Sequence, residues 1–295
     1  MNLILKNILP FILCVFYFFS ITNAFALEKN EQKKSIFWQV IDLEGKKHYL
    51  FGTIHTDDNR VSNFNSVVLD KLKEIDIFVM ETDEILDRSI LHIDSKIYDG
   101  YLTKQELEKI YLLADFHTMS RDNVLSMKPW LLAVIFDSPR PITPFNQDNL
   151  LKSKAEDFLK ITQGLESPKE HFKVLDSFTI DEQMTLLKAV LKKDLKQKEK
   201  NYELLIKAYL SFDVEKILDV DSRVTKSFIS QSIWEKIELN LLVKRNKIFA
   251  QRIMELIDGN RLFIAIGASH LGGKTGLLKQ FQDAGFLLNP MEALD

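Results

Sequence analysis

The chain has 295 residues and carries 39 Lys and Arg against 42 Asp and Glu, which gives a formal charge of -3. So small a net charge is not that of a nucleic-acid-binding protein, and we expect no nucleic-acid partner. The single cysteine, Cys14, excludes a disulfide within the chain and a zinc site built on cysteines.

Residues 1–26 have the pattern of a cleaved export signal. Lys6 supplies the positive charge at the start, residues 8–19 are almost wholly apolar, and Ala24 and Ala26 are the small residues that precede a cleavage site. The apolar run is shorter than the about 20 residues that a membrane helix needs. We therefore expect an exported protein, periplasmic or secreted, with no stable membrane span after cleavage; an uncleaved N-terminal anchor is the alternative. Cleavage also removes Cys14, which excludes thiol chemistry in the mature chain.

The first part of the mature chain predicts a polar N-terminus followed by strands and one helix. Residues 27–35 are polar and charged and indicate a flexible segment. Two apolar, aromatic-rich runs around a Gly45 turn predict a β-hairpin. The next apolar residues have helical spacing and predict a helix. A short apolar run that ends at Glu81 then predicts a buried strand. The predicted elements are strands at 36–42 and 48–53, a helix at 67–75 and a strand at 77–80.

Most of the middle of the chain has helical patterns. Residues 83–158 are irregularly helical, and residues 168–257 are almost entirely helical. Within the second stretch, the Lys- and Glu-rich residues 192–200 indicate an exposed helix or helix junction rather than a nucleic-acid patch. A long helix begins near Ile233 and ends near Gly259. Strands at 159–164, 261–266 and 286–288 and a helix at 275–284 complete the pattern.

These elements predict an α/β (α+β) fold. The strands come from both ends of the chain, so we expect one central mixed β-sheet with a long helical middle segment between its two parts. Residues 36–295 then form a single domain with a helical insertion at about 83–158 and 168–257, which is a size that one domain can have.

Two Gly-x-x-His elements, Gly52–His55 and Gly267–His270, are the first candidates for a functional site. Each directly follows an apolar strand, and catalytic groups in open α/β sheets collect at the carboxyl ends of strands. Glycine lets the backbone approach a ligand closely, and histidine serves as a metal ligand or a proton shuttle. One such element favours a histidine with a structural role, but two at equivalent strand ends indicate two halves of one site.

Glu81 and Glu166 hold comparable places after predicted strands, and Arg245 lies beside the apolar face of the long helix. Glu81 either lies at the mouth of the sheet or faces solvent. Glu166 either joins the site or stabilises the N-terminus of the helix that begins near Pro168. Arg245 either reaches into the site to bind a carboxylate or an oxyanion, or lies on the surface.

Two histidines and two carboxylates are a suitable set for a divalent metal. Zinc, manganese and cobalt accept imidazole nitrogen together with carboxylate oxygen, and an open coordination position activates water. The same side chains without a metal can perform general acid–base catalysis, with a histidine base oriented by a carboxylate. The residues by themselves leave both possibilities open.

With these residues in view, the chain resembles the TraB/GumN group, which includes the TIKI proteases and the bacterial pheromone-shutdown proteins. The matching blocks follow the family's order over nearly the whole mature chain, and the last block is the most specific. They are Phe51–His55, Val79–Asp83, Gly164–Ser167, the pair Arg245 and Asn246, and Ile266–Gly273.

The resemblance implies a role for each candidate residue. The TIKI relatives are metal-dependent proteases that use manganese or cobalt, which implies a divalent metal held by His55, His270 and a carboxylate. That carboxylate is Glu81, or else Glu166, and the other one would be the general base. Arg245 would steady the substrate or the developing oxyanion. His171 stands where many relatives have glutamine.

We therefore expect an exported metal-dependent hydrolase of the peptidase type, which acts on a peptide or a small-molecule substrate. The fold group also resembles the erythromycin esterases and haem-uptake proteins, which implies two alternatives. One is a metal-free, esterase-like hydrolase with His55 as the base. The other is a protein that sequesters a peptide, haem or a metal ion without turnover.

Overall fold

The computed structural model describes residues 34–82 and 87–294. The export signal predicted at residues 1–26, residues 27–33 of the polar N-terminus, and the acidic residues Asp83 and Glu84 lie outside the described residues, and what the sequence indicates for them stays a prediction. Within the described residues, no helix is both long and apolar enough to cross a bilayer.

Six strands of the described residues form one mixed sheet. They are β1 (Phe37–Ile41), β2 (Lys47–Thr53), β3 (Ile77–Thr82), β4 (Ile161–Glu166), β5 (Leu262–Gly267) and β6 (Leu287–Met291), in the spatial order β4-β3-β5-β2-β1-β6. Four of them, β2, β5, β3 and β4, are parallel to one another, whereas β1 is antiparallel to β2 and to β6. The α/β class, the hairpin and the mixed sheet built from both ends of the chain are confirmed.

Apart from β4, most of the described chain between β3 and β5 is helical, as the sequence predicted. Three of them begin with a capping box, in which Thr103, Ser167 or Thr179 pairs with the glutamate three residues later. The helices are α1 (Asn59–Ser62), α2 (Ser66–Glu74), α3 (Lys104–Phe116), α4 (Arg121–Val124), α5 (Pro129–Asp137), α6 (Gln147–Asp157), α7 (Pro168–Asp176), α8 (Ile180–Lys192), α9 (Leu195–Tyr209), α10 (Val214–Lys226), α11 (Gln231–Ile237), α12 (Lys244–Leu256) and α13 (Leu277–Asp283).

The main core lies on both sides of the central strand β5. Each residue of β5 before Gly267 is buried and apolar, as expected for a parallel strand that is covered on both faces. The Phe263 ring lies between the rings of Phe37, Tyr49, Phe51 and Phe78, with centroids 5.7 to 6.5 Å apart. A second cluster of buried apolar side chains packs α3, α5 and α8 together, so the helical insertion has its own core.

Three differences between the structure and the predicted elements bear on the site and on the cavity described below. Strand β4 begins and ends two residues later than predicted, because Leu159 adopts a left-handed conformation (φ 57°) after α6. The long helix predicted from Ile233 is interrupted by a π-helical stretch, Glu238–Val243, just before Arg245. Lys198 was expected on an exposed helix, but it is 8% exposed because it packs against α5, where its Nζ donates to the Phe136 carbonyl.

We expect Phe263→Ala to lower the free energy of unfolding by about 3–5 kcal/mol, because it empties the centre of the aromatic cluster. Leu287→Ala is the control, since Leu287 lies on the edge strand β6 and is 65% exposed; it should change the free energy by less than about 0.5 kcal/mol. Chemical denaturation measures both. Equal losses would mean that β5 is not the centre of the core.

Candidate active site

The four parallel strands bring the predicted site residues to one edge of the sheet. Strands β4, β3, β5 and β2 are consecutive neighbours. Their carboxyl ends carry, in that order, Glu166, Glu81, Gly267 and Thr53. His270 lies in the 3₁₀ turn after β5, and His55 lies two residues beyond β2. The groups predicted at separate strand ends therefore lie side by side.

His55 is held by a carboxylate that the sequence did not single out. Its Nδ1 lies 2.8 Å from Oδ2 of Asp148, and Oδ1 of that carboxylate accepts a hydrogen bond of 2.5 Å from the Thr53 hydroxyl. Asp148 is buried in the first turn of α6, whereas the His55 side chain is 60% exposed. The negative charge of Asp148 raises the pKa of His55 to about 9, so the ring is protonated at neutral pH.

Two buried side chains of the helical insertion hold the backbone that carries His55. Oε1 of Gln147 accepts a hydrogen bond of 2.9 Å from the Ile54 amide. The Tyr209 hydroxyl donates to the Gly52 carbonyl over 2.7 Å. The first Gly-x-x-His element is thus held by α6 and α9, and the insertion is a structural part of the site.

Arg245 lies between the two glutamates. Its Nη2 donates to Oε2 of Glu81 over 2.7 Å, and its Nε lies 3.2 Å from both oxygens of Glu166. Arg245, Glu81 and Glu166 are 5%, 8% and 4% exposed. The guanidinium carbon also lies 4.8 Å from the ring centroid of Phe249. Arg245 therefore reaches into the site and does not lie on the surface.

The two glutamates are ionised at neutral pH because cationic groups surround them. Burial raises the pKa of Glu81, but attraction to Arg245, to protonated His55 and, at low pH where it is charged, to His270 outweighs burial and holds the pKa well below its usual range. Burial acts in the same way on Glu166, and hydrogen bonds with His171 and Arg245 lower its pKa overall. Nδ1 of His171 lies 3.4 Å from Glu166 and 3.2 Å from Nη2 of Arg245. The role considered for Glu166 at the N-terminus of α7 falls to Ser167, which caps that helix.

His270, in the second Gly-x-x-His element, is buried and neutral. Its Nδ1 lies 2.5 Å from Oδ1 of Asn246, and its Nε2 lies 3.3 Å from Nη1 of Arg245 and 3.8 Å from Oε1 of Glu81. A ring protonated on Nδ1 satisfies the first two contacts, because it donates to Asn246 and accepts from Arg245. Burial lowers the pKa of His270 to about 4, which agrees with a neutral ring.

Gly267 leaves open the space that these side chains border. A Cβ atom at this position would lie 3.1 Å from Oε1 of Glu81, 3.7 Å from Cδ2 of His270 and 3.9 Å from Nε2 of His55. The Gly267 amide donates to the same Glu81 oxygen over 2.9 Å. Glycine is needed here for the close approach of these groups, and the two histidines and Glu81 meet above it.

Three polar side chains of the insertion contact the site although sequence reasoning gave them no role. Asp148 orients His55, Asn246 orients His270, and Asp221 accepts a hydrogen bond of 2.8 Å from Ser269. Burial raises the pKa of Asp221. Among these three residues, only Asn246 had a signal in the sequence, which was its position next to Arg245. Asp148 and Asp221 lie in helical stretches where aspartate is common, and only their tertiary contacts distinguish them.

The order and spacing of these groups can be compared with known proteins. The sequence profile of the TraB/PrgY/gumN family matches residues 36–290, which include all five predicted site residues. The chain belongs to the TraB/PrgY/gumN family. The resemblance inferred from the sequence blocks is confirmed. A search of curated proteins found none that matches the chain.

Whether the site can hold the divalent metal expected from the resemblance to the TIKI proteases depends on Arg245. No group of three or more His, Cys, Asp or Glu within residues 34–82 and 87–294 is placed to hold a metal as the side chains stand. His55, Glu81 and His270 nevertheless border the space above Gly267, and both rings have Nδ1 held by an oxygen, as metal-binding histidines do. The donor set fits manganese, cobalt or zinc, provided that Arg245 releases Nε2 of His270.

We expect Asp148→Asn to lower the pKa of His55 from about 9 toward its ordinary value of 6.5, because it removes the charge that stabilises the protonated ring. In the wild type, protonated His55 stabilises the folded state below pH 6.5, and this stabilisation disappears as the pH rises through about 9. The free energy of unfolding of the variant should therefore not show this decrease. NMR titration of the His55 ring and denaturation against pH measure the two effects. Asp157→Asn, at the exposed end of α6, is the control. An unchanged pKa would contradict the assigned contact.

We expect Arg245→Met to lower the free energy of unfolding by about 3–5 kcal/mol at neutral pH, because it leaves two buried carboxylates without their cation. The deficit should shrink as the pH falls, since the carboxylates then take up protons. Arg252→Met, on the same helix and paired with Glu170 near the surface, is the control and should cost about 1 kcal/mol or less. Equal losses in denaturation experiments would contradict a central role for Arg245.

Proposed function

We propose that this chain is an exported hydrolase that cleaves an acyl bond with water, above all the C–N bond of a peptide, at the carboxyl edge of the sheet. The observation that supports the proposal is the meeting of His55, Glu81 and His270 above Gly267, with each ring oriented by an oxygen. Membership of the TraB/PrgY/gumN family is consistent with a hydrolase or peptidase-like role. The proposal that the protein is exported depends on the signal predicted at residues 1–26.

His55, Glu81 and His270 would hold a divalent metal. When bound, manganese, cobalt or zinc polarises a substrate carbonyl and lowers the pKa of water. Nδ1 of each ring keeps its present partner, Asp148 for His55 and Asn246 for His270, so each ring offers Nε2. His55 has to lose its proton first, because its pKa is raised to about 9.

The other residues of the chain set the charge around the reacting carbonyl. Arg245 keeps both glutamates ionised, and its Nη1 reaches Nε2 of His270 at the edge of the open space. From there, the guanidinium can stabilise an oxyanion that develops on the substrate. Both oxygens of Glu166 contact Arg245. We therefore assign Glu166 to positioning Arg245, instead of the role of general base expected from the sequence.

A metal-free hydrolase is the second candidate, and the His55–Asp148 pair favours it. A histidine that is exposed, oriented by a buried carboxylate and protonated at neutral pH can donate a proton to a leaving group. In this case, Nε2 of His55 acts directly on the substrate. The third possibility is that the same site holds a peptide, haem or a metal ion without turnover.

We expect the mature protein to cleave members of a peptide library in the presence of manganese, cobalt or zinc and to lose this activity with EDTA. His55→Ala should lower kcat/KM by about 100-fold or more, because it removes a group at the reacting centre. His92→Ala, which changes an exposed histidine outside the site, is the control and should leave kcat/KM unchanged. Elemental analysis of the same proteins should show less bound metal in His55→Ala and in His270→Ala.

The outcomes separate the three candidates. EDTA-resistant cleavage that is lost in His55→Ala would support the metal-free hydrolase and contradict the metal ligands. Binding of peptides without cleavage under every metal would support sequestration and contradict a hydrolase. Metal content that is equal in the wild type and in both site variants would contradict His55 and His270 as ligands.

A further inference from the structure

A cavity separate from the candidate active site lies in the helical insertion. Its volume is about 340 Å³, which is within the range of small-molecule sites. Helices α3, α5 and α9 and the loop after α5 surround it. Its apolar walls are formed by Leu113, Phe116, Phe136, Pro139, Leu195 and the ring of Tyr202. An apolar molecule can therefore bury much of its surface here.

Three nitrogen-bearing side chains, His117, Arg140 and Lys198, line the same cavity. Nε2 of His117 is buried and has no hydrogen-bond partner among the described residues. Burial, together with the charges of Lys198 and Arg140, lowers the pKa of His117, which indicates that the three groups lie near one another. Lys198 and Arg140 thus give the cavity a polar part beside its apolar walls.

The two cations of this polar part are available to a ligand. Nζ of Lys198 donates to the Phe136 carbonyl over 2.7 Å, which uses one of its three protons. In the part of the chain that the structure describes, neither Lys198 nor Arg140 forms an ion pair. Two carboxylates also line the cavity, but Glu203 pairs with Arg60 outside it and Glu199 is exposed to solvent. Burial lowers the pKa of Lys198 and the nearby charge of Asp137 raises it. Lys198 and Arg140 nevertheless keep hydrogen-bond donors that no carboxylate uses, and these donors can bind an anion.

We propose that this cavity binds a small apolar molecule that carries a carboxylate. The carboxylate would contact Lys198 and Arg140, and the apolar part would lie between the aromatic rings. Two sources share this chemistry, a medium-chain fatty acid and the C-terminal residue of a peptide with a large apolar side chain. Binding here goes beyond the proposed hydrolase function and does not depend on it.

The cavity is joined to the candidate active site by the two residues that follow His55. The Tyr202 hydroxyl lies 2.8 Å from the hydroxyl of Thr56. Oδ2 of Asp57 accepts hydrogen bonds of 2.6 and 2.5 Å from the amides of Ile142 and Thr143, in the loop that carries Arg140. Two walls of the cavity are thus hydrogen-bonded to the side chains of the two residues that follow His55. We expect occupancy of the cavity to change the NMR signals of the His55 ring.

Calorimetric titration of the mature protein with decanoate and with N-acetylphenylalanine tests the proposal. We expect at least one of these acids to bind saturably, and its uncharged counterpart, decanol or N-acetylphenylalanine amide, to bind about tenfold more weakly or worse. Lys198→Met should weaken binding of the acid by about tenfold. Lys200→Met, on the exposed side of α9, should not. Arg140→Gln changes an exposed residue that can be lost without unfolding the protein, and it should also weaken binding.

Each outcome has one meaning for the proposal. Binding of decanoate alone points to a fatty acid, and binding of N-acetylphenylalanine alone points to a peptide C-terminus; either supports the site. The proposal is overturned if neither acid binds at millimolar concentration, or if the uncharged counterparts bind equally well. It is also overturned if Lys198→Met and Arg140→Gln both bind like Lys200→Met. A protein that binds an acid here and cleaves no peptide would leave this proposal standing while the hydrolase proposal fails.

Discussion

The guanidinium of Arg245 joins three neighbouring strand ends of the sheet. It binds Glu81 from β3 and Glu166 from β4, and it reaches His270 just after β5. Two carboxylates so deeply buried would cost several kcal/mol each without a cation. The ionised state of both glutamates depends on where this one side chain lies, and its charge adds to the burial that keeps His270 neutral.

The sheet supplies the edge of the site, but the helical insertion supplies the groups that orient it. Asp148 from α6 turns His55 and raises its pKa, whereas Asn246 from α12 turns His270, whose burial lowers its pKa. Two histidines in equivalent sequence elements therefore differ in charge at neutral pH. Pairs of titratable groups whose pKa values are pushed apart by their surroundings are typical of acid–base and metal chemistry.

The insertion also contains the cavity, so it both orients residues of the candidate active site and forms the walls of a second candidate binding site. Its own apolar core keeps α3, α5 and α8 together, whereas α9, which forms another wall of the cavity, packs against the main core through Tyr202. The bonds of Tyr202 to Thr56 and of Asp57 to the loop after α5 connect those walls to the segment that carries His55. A ligand in the cavity and a substrate at the sheet edge would thus act on the same short stretch of backbone.

The sequence by itself determined the strands, the helical middle, the family and the five polar residues at the site, because each depends on local pattern: apolar runs, caps and glycine next to histidine. It placed β4 two residues too early and Lys198 in solvent, because a left-handed Leu159 and the packing of Lys198 against α5 are not local patterns. Only the tertiary structure decided that Arg245 is buried between Glu81 and Glu166, and that Asp148 holds His55. These contacts join residues between 79 and 164 positions apart, and charges at such separations meet only when the chain has folded.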